Sequence, residues 1–413
     1  MVKETWKSIT LDQIGTFQKG SGISRAESNS GILPAVRYGE IYTIHDNYIQ
    51  KYNSHISREV ADKALRVHYG DILFACSGET KEDIAKCVAI IDDAEVYAGG
   101  DIIVLTPKLK VNPVFLGFVL NTPEVIRQKS QRAQGDAIVH ISTESLKTIE
   151  ILLPEYQEQC RIAATLSDID ALISNLEKLI AKKSAIKQGA MQELLTGKRR
   201  LPGFDGEWIT MKVDNIVVRF ATGLNPRQNF KLNTGGTNYY VTIKDFRDGV
   251  LYLGENCDRI DDAALSRINE RSDLRKDDLL FSSIGRIGDA YLIVETPTNW
   301  NINESVFALR PNSRIISPLM LFWLLTSENV RRRLIESTTG STLKSIKLGD
   351  LKEIECRFPK DIEEQNAIAT ILYDMDNEIK ESLKKLAKYR LIKQGVMNEL
   401  LTGRIRLVDK EDK

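Results

Sequence analysis

Two stretches of the chain place apolar residues at alternating three- and four-residue steps, the pattern of a helix that buries one face. They cover residues 155–195 and 360–401 and are rich in Glu, Lys, Gln, Ala and Leu. At about 1.5 Å per residue, each stretch predicts a helix roughly 60 Å long. Polar residues, among them Lys187 and Lys393, interrupt both apolar stripes. We expect the stripes to be buried against each other through these seam residues: Ile162, Leu166, Ile169, Ile173, Leu176, Ile180, Ile368, Leu372, Met375, Ile379, Leu386 and Val396.

Both helices end in nearly the same sequence, which we call the twin motif. It reads IKQGAMQELLTG at residues 186–197 and IKQGVMNELLTG at residues 392–403. The final Gly of each copy predicts a left-handed cap that ends the helix. Two such close copies, with very different sequence between them, predict one structural unit that occurs twice.

Each long helix follows a module of short apolar runs, which predict buried strands. The run GDILFA at residues 70–75 corresponds to DDLLFS at residues 277–282. Both modules end in a strand followed by proline, at Pro154 and Pro359. The two modules therefore share an order of elements, although their sequences differ.

A helix within each module has matching start signals. Asn112 and Ser317 each precede a proline at the first helical position, where proline is favoured. In the first module Pro123 predicts a break, because proline lacks the N–H donor and clashes with the preceding turn. The second module has Glu328 at the corresponding place, which predicts an uninterrupted helix.

We therefore expect an α+β fold with two tandem globular α/β modules, separated by two long antiparallel coiled-coil helices. An approximate twofold axis is expected, and it brings the chain ends near each other. The expected boundaries are 1–154 for the first module, 155–200 for the central helix, 201–359 for the second module and 360–413 for the distal helix.

Composition narrows the class of protein. A chain of 413 residues exceeds one ordinary core. Lys+Arg and Asp+Glu both total 57, so net charge neither supports nor excludes nucleic acid. Five scattered cysteines without a C-x-x-C pair favour reduced thiols in a cytosol over disulfides or zinc. No apolar run reaches the roughly 18–20 residues of a membrane span, and the N-terminus lacks the apolar core of a signal peptide.

Motifs of known catalytic sites are missing. The chain has no G-x-x-x-x-G-K-[ST], no G-x-G-x-x-G after a strand and no Asn/Asp-Pro-Pro-Tyr/Phe, and its four histidines lack metal-ligand spacing. Asp71 and Asp101 have the residue type of a nuclease carboxylate pair, but the usual Glu-x-Lys partner is absent. We predict no catalytic residue and no metal site. Two alternatives stay open: a self-contained DNA methyltransferase or nuclease with cryptic motifs, and a protein scaffold that does not bind DNA.

The tandem organisation, the twin motif and two strand-to-helix junctions together resemble the specificity (S) subunits of type I restriction-modification systems. The junctions read ILLPEYQEQCRIAATLSDIDALI and CRFPKDIEEQNAIATILYDMDNEI, with Gln159 and Gln365 at corresponding places. The resemblance covers the whole chain. It implies that each module is a target recognition domain that reads one half of a bipartite, asymmetric target in double-stranded DNA. The helices would then act as a ruler between the halves. By helix rise alone, four residues inserted between Leu176 and Lys187 correspond to roughly two base pairs of spacer.

The resemblance also implies partners. The helices of S subunits bind two methyltransferase (M) subunits, and motor-nuclease (R) subunits join through the complex. The chain would be non-catalytic and without a cofactor of its own, with S-adenosylmethionine, ATP and Mg in the partner subunits. The expected location is the cytoplasm of a prokaryote, and the isolated chain can self-associate through surfaces meant for the M subunits.

Polar side chains in the module loops are the candidate DNA contacts. Lys, Arg, Ser and Thr can donate to phosphates, and Arg and Gln can also read base edges. The candidates of the first module are Lys19, Ser21, Arg37, Ser77, Lys86, Arg132 and Gln134, and those of the second are Arg227, Lys244, Ser283, Arg286, Thr339 and Lys344.

Overall fold

The computed structural model describes residues 6–135, 138–336 and 344–407. The chain forms two compact units. Unit 1 comprises Met1–Glu177 and Lys384–Lys413, and unit 2 comprises Lys178–Leu383. Each unit therefore contains one module together with part of each long helix.

The module of unit 1 builds short strands and helices from apolar runs separated by polar turns. In chain order they are β1 (Lys7–Thr10), α1 (Leu11–Ile14), β2 (Gly15–Lys19), β3 (Leu33–Val36), α2 (Tyr38–Thr43), β4 (Ser54–Ile56), α3 (Arg58–Ala61), β5 (Leu65–Val67), β6 (Ile72–Ala75), β7 (Ser77–Gly78), β8 (Cys87–Ala89), β9 (Val96–Ala98), β10 (Ile102–Pro107), α4 (Pro113–Val119), α5 (Pro123–Arg132), β11 (Val139–His140), α6 (Thr143–Lys147) and β12 (Glu150–Leu153). The first long helix, α7 (Tyr156–Leu194), follows.

The module of unit 2 has a similar succession. Its elements are β13 (Trp208–Lys212), α8 (Val213–Ile216), β14 (Val217–Thr222), α9 (Pro226–Asn229), β15 (Asn238–Val241), β16 (Phe246–Arg247), β17 (Val250–Leu251), β18 (Asp258–Ile260), α10 (Asp262–Ser272), β19 (Leu279–Ser282), β20 (Ala290–Leu292), β21 (Trp300–Ile302), β22 (Val306–Pro311), α11 (Pro318–Thr326), α12 (Glu328–Glu336), α13 (Leu348–Lys352) and β23 (Glu355–Pro359). The second long helix is α14 (Ile362–Leu401).

Both units contain the same antiparallel central sheet. Its strand order is β2-β10-β6-β8 in unit 1 and β14-β22-β19-β20 in unit 2. The inner strands are almost wholly apolar, so both of their faces are buried. One face packs against the module's helices and the start of its long helix, and the other against a second sheet.

The second sheets distinguish the units. Unit 1 has four strands in the order β4-β3-β9-β5, whereas unit 2 has three in the order β18-β15-β21 and adds the hairpin β16-β17 and the helix α10. The units therefore share a framework and differ in the segments attached to it.

The predicted helix starts are confirmed, but one prediction about a helix break is wrong. Asn112 and Ser317 accept from the backbone N–H groups of the third helical residues. The helix of unit 1 breaks before Pro123, as predicted. In unit 2 the helix also breaks, because Ser327 is extended and its hydroxyl donates to Leu324 O (2.6 Å). The break turns the following helix so that its apolar residues enter the core of unit 2.

The lysines of the twin motif form ion pairs between α7 and α14. In unit 1, Lys393 Nζ lies 2.5 Å from Asp170 Oδ1, and the two side chains are only 17% and 13% exposed. In unit 2, Lys187 pairs with Asp376 in the same manner. Burial raises the pKa of the Asp170 carboxyl, and the bond from Lys393 opposes that rise. These lysines interrupt the apolar stripes because each meets a carboxylate on the other helix, a device that favours one register of pairing.

Further pairs show that the long helices are antiparallel. In unit 1, Arg390 contacts Glu177 at 2.6 Å, and in unit 2, Lys183 contacts Glu378 at 2.8 Å. Within each unit the residue number along α14 falls as that along α7 rises, so the antiparallel prediction is confirmed.

All of the seam residues are buried or half-buried. The first of them also belong to the cores of the modules. Ile162 and Leu166 join the core of unit 1 together with Leu400 and Leu401, which come from the end of the other helix. Ile368 and its neighbours join the core of unit 2 in the same way. Each module therefore closes its core with the start of one long helix and the end of the other.

A cluster of Trp, Glu and Arg fixes the segment after each long helix. Arg406 binds both carboxylate oxygens of Glu158 at 2.7 Å, and Trp6 Nε1 donates to the same carboxylate at 3.2 Å. In unit 2, Arg200 binds Glu364 with the same two-bond geometry, at 2.7 and 2.9 Å. Residues near the two ends of the chain thus meet in unit 1, as predicted from the sequence.

We expect Arg406→Ala to destabilise the chain strongly. Glu158 is 2% exposed, and the substitution leaves its carboxylate without its bidentate partner, at a cost of roughly 3 kcal/mol. Thermal unfolding of the full chain should then show a lower midpoint. Arg404→Ala is the matched control, because the pair of Arg404 with Glu399 is exposed and contributes at most about 1 kcal/mol. Equal midpoints for the two variants would contradict this assignment.

Candidate nucleic-acid interface

Several candidates in unit 1 meet at one end of its central sheet. Lys19 ends β2 and pairs with Ile103 of β10, whose other neighbour is Phe74 of β6. Ser77 follows β6 at the same end. Its hydroxyl lies 2.9 Å from His140 Nδ1, and the backbone of His140 pairs with that of Gln134. Lys19, Gln134 and His140 therefore surround one patch of polar surface, and the buried Ser77 lies beneath His140.

The helix α2 borders this patch and is held there by Lys86. The Lys86 ammonium donates to Tyr42 O at 3.3 Å and to His45 O at 2.6 Å, at the end of α2. Burial lowers the pKa of Lys86. Tyr42 in turn donates to Ser77 O at 3.1 Å. Arg37 precedes α2 and lies 3.9 Å from Glu40, which places it beside the same helix.

Two other candidates of unit 1 use their donors within the protein. Arg132 donates to Thr148 Oγ1 at 2.8 Å and to Gln128 O at 2.9 Å. The Ser21 hydroxyl donates to Lys63 O at 2.8 Å. Lys19 and Gln134, by contrast, carry exposed side chains.

Four candidates of unit 2 lie in one cluster of loops. Arg286 donates to Ile243 O at 2.7 Å, next to Lys244, and also contacts Asp289. Gly285 N donates to Lys344 O at 3.3 Å. The Ser283 hydroxyl is buried and donates to a backbone carbonyl, that of Ser305. Ser283, Lys244, Arg286 and Lys344 therefore come together from three separate segments.

Lys244 is charged at neutral pH but is already paired with a carboxylate, that of Asp258. Its ammonium lies 3.1 Å from Asp258, and this hydrogen bond raises the pKa of Lys244, so the cation persists at neutral pH. Asn233 and Lys244 lower the pKa of Asp258. A phosphate approaching Lys244 would meet a cation that is already paired with a carboxylate.

Arg227 and Thr339 are the remaining two candidates of the second module. No contact in the described part of unit 2 joins Arg227 to the loop cluster, and its helix α9 instead contacts α10 through Arg267 and Asn229 O (2.6 Å). Thr339 lies outside the described residues.

His140 is a member of the unit 1 patch that sequence reasoning missed. It is exposed and connects Ser77 with Gln134. The available signal was its place just after the polar loop that contains Arg132 and Gln134. Neither metal-ligand spacing nor charge identifies such a residue, because its partner Ser77 is 63 positions away.

Across residues 6–135, 138–336 and 344–407 no three His, Cys, Asp or Glu side chains are grouped as ligands for a metal ion. In the same ranges no helix is both long and apolar enough to cross a membrane.

Comparison with known proteins identifies the family. The model of the type I restriction modification DNA specificity domain matches residues 3–188 and again residues 206–389. The chain is similar to the type I restriction enzyme MjaVIII specificity subunit of Methanocaldococcus jannaschii, with 24% identity over 98% of this chain and 94% of that protein. It is also similar to the type I restriction enzyme EcoBI specificity subunit of Escherichia coli, with 23% identity over 98% and 87%.

Solved structures agree in fold. The type I restriction-modification S subunit from M. genitalium aligns with a TM-score of 0.61 and 18% identity over 96% of both chains. A chain from a study of complex assembly and conformational transition of the type I R-M system aligns with a TM-score of 0.55 and 15% identity, over 97% of this chain and 98% of that one. With two matched domains that together span most of its length, the chain belongs to the type I restriction modification DNA specificity family.

Proposed function

We propose that each unit reads one half of a bipartite, asymmetric DNA target. The observation that carries the proposal is the repeated central sheet with different side chains at its loops. Unit 1 presents Lys19, Gln134 and His140, whereas unit 2 presents Lys244 and Arg286. Base readout depends on the donors and acceptors that reach the groove, so different loops on one framework imply two different half-sites.

Two reading units also fit the demand for specificity. Each base pair contributes about 1–3 kcal/mol of discrimination, so a target long enough to be rare needs many contacts. One module offers a small set of loops, and two modules in one chain multiply their discrimination.

We further propose that the long helices dock two M subunits, one at each copy of the twin motif. Ile186 and Ile392 are 52% and 38% exposed, and Gln188 and Gln394 are exposed as well. Packing within the chain does not require these side chains to match, so their identity in both units supports one kind of partner for both. The chain then performs no chemistry itself, while the M subunits and the R subunits that join them supply S-adenosylmethionine, ATP and Mg chemistry.

The test compares the purified chain with its complex with the M partner. We expect the complex to methylate a DNA that carries both half-sites, and the chain alone to methylate and cleave nothing. DNAs with either half-site scrambled are the controls. Methylation or cleavage by the chain alone would support a self-contained enzyme. A complex without salt-dependent DNA binding would support a scaffold.

A further inference from the structure

Unit 1 contains a buried lysine, Lys129, to which the proposed function assigns no role. Lys129 lies on α5 with no exposed surface. Its ammonium donates to Ala85 O at 2.7 Å and lies 5.4 Å from the centroid of the Phe74 ring. No carboxylate pairs with it in the described part of the chain. Burial lowers the pKa of Lys129, and burying this polar group without an anionic partner costs stability, so its presence calls for a role beyond packing.

The corresponding position of unit 2 shows that the framework does not require this cation. Val125 and Val330 are buried at matching places in α5 and α12, and four residues later stand Lys129 and Leu334. Leu334 is fully buried in the apolar core of unit 2. Both units also have a phenylalanine ring in the strand at this place, because Phe74 and Phe281 occupy matching positions in the central sheets. An apolar side chain is therefore sufficient to close this core.

The units differ in the segment that Lys129 holds. Between β6 and β8, unit 1 has eleven residues, 76–86, which we call the long loop. Unit 2 has seven, 283–289, between β19 and β20. The long loop exposes Glu79, Thr80, Lys81, Glu82 and Asp83, whose carboxylates can accept from cytosine N4 and whose ammonium can donate to guanine. It begins at the unit 1 patch, since β7 pairs with β11, which contains His140.

The base of the long loop has a strained conformation that needs support. Ala85 has φ +58°, a left-handed value that costs a non-glycine residue about 1 kcal/mol. Its N–H donates to Ala75 O at 3.1 Å, and its carbonyl accepts from Lys129. The next residue, Lys86, holds the other side through Tyr42 O and His45 O. Two ammonium groups thus hold consecutive residues at the end of the long loop.

We propose that Lys129 is a positioning residue for DNA reading by unit 1. Its ammonium holds the Ala85 carbonyl and thereby presents residues 79–83 to the first half-site, while Leu334 leaves unit 2 without an equivalent device. The inference rests on the proposed function, in which each unit reads its own half-site. It makes the long loop a determinant of specificity for one half-site only.

The test uses the full chain in complex with its M partner. Lys129→Met removes the ammonium and keeps an unbranched side chain, and Leu334→Met is the matched control at the equivalent position. Methylation rates are measured on DNAs with single base changes in either half-site. For Lys129→Met we expect discrimination in the half-site of unit 1 to fall roughly tenfold, the value of one base contact, with the other half unchanged. Leu334→Met should change neither. Hydrogen exchange should also become faster at residues 76–86.

A second variant addresses the risk that Lys129→Met folds poorly. Replacing the exposed residues 79–83 by Gly and Ser disturbs no core, and it should produce the same loss in the same half-site. Unchanged discrimination in either variant, or equal losses in both half-sites, would overturn the role of Lys129. A wild-type complex that ignores scrambling of one half-site would instead refute the proposed function.

Discussion

Exchanging residues 1–154 for the first module of another family member is expected to change one half of the methylated DNA sequence and leave the other half intact. Methylation of sites with the original first half should fall by at least about 10³-fold, the usual ratio of specific to non-specific binding. The physical reason is that each module has its own central sheet and its own core. Methylome sequencing of cells with the exchanged chain measures the result.

The structure determines where the exchange must be cut. β12 (Glu150–Leu153) pairs with β1 (Lys7–Thr10), so both strands have to come from the same donor. Ile162 and Leu166 of α7 also pack in the core of unit 1, and the donor must therefore present apolar residues to them. Exchange of residues 201–359 is the matched control and should change the other half alone. If either exchange altered both halves, independent reading by the two units would be wrong.

The long helices could be predicted, because an apolar periodicity sustained over forty residues is a strong local signal. Their antiparallel pairing could be predicted as well, because the tandem order of module and helix indicates an approximate twofold axis. The ion pairs that set their register could not. Lys187 seemed only to interrupt a stripe, since its partner Asp376 is 189 residues away and nothing in the local sequence points to it. The same holds for the bidentate pair of Arg406 with Glu158. Local patterns indicate which helices form, whereas distant charges decide how they pair.

The candidate site was predictable at the level of loops and not of side chains. Lys86, Arg132 and Ser283 are polar loop residues, yet their donors bind backbone or hydroxyl oxygens of the protein. Sequence reveals that a residue is polar, but the fold decides whether its donor faces solvent. Contact of these residues with DNA stays a prediction. The burial of Lys129 could not be predicted for a related reason, because a lysine on a short amphipathic helix ordinarily lies in solvent.

Four residues inserted in both long helices are expected to lengthen the DNA spacer by one base pair. The insertions belong after Lys178 in α7 and after Leu383 in α14, between the ion pairs of unit 1 and those of unit 2. Every pair within a unit then keeps its register. An insertion of four is a stutter, which a coiled coil accommodates by local unwinding. The same insertion in α7 alone is the control, because it lengthens one helix and not its partner, and it should lower the unfolding midpoint and abolish methylation.

Rotation, and not length alone, decides the size of the step. Four residues add about 6 Å to each helix and turn it by about 40° beyond one full turn. One base pair adds about 3.4 Å and about 34°, and two add about 7 Å and 69°. With the helix pair lying along the DNA, two base pairs fit the length but leave the second half-site rotated by about 30°. One added base pair matches the rotation and leaves a length difference of less than 3 Å, which local bending of DNA or helices can absorb. Groove recognition tolerates a small shift along the DNA axis better than a rotation that turns the base edges away from the loops. Methylome sequencing that showed an unchanged spacer would exclude the helix pair as a ruler, and a spacer longer by two would show that length outweighs rotation.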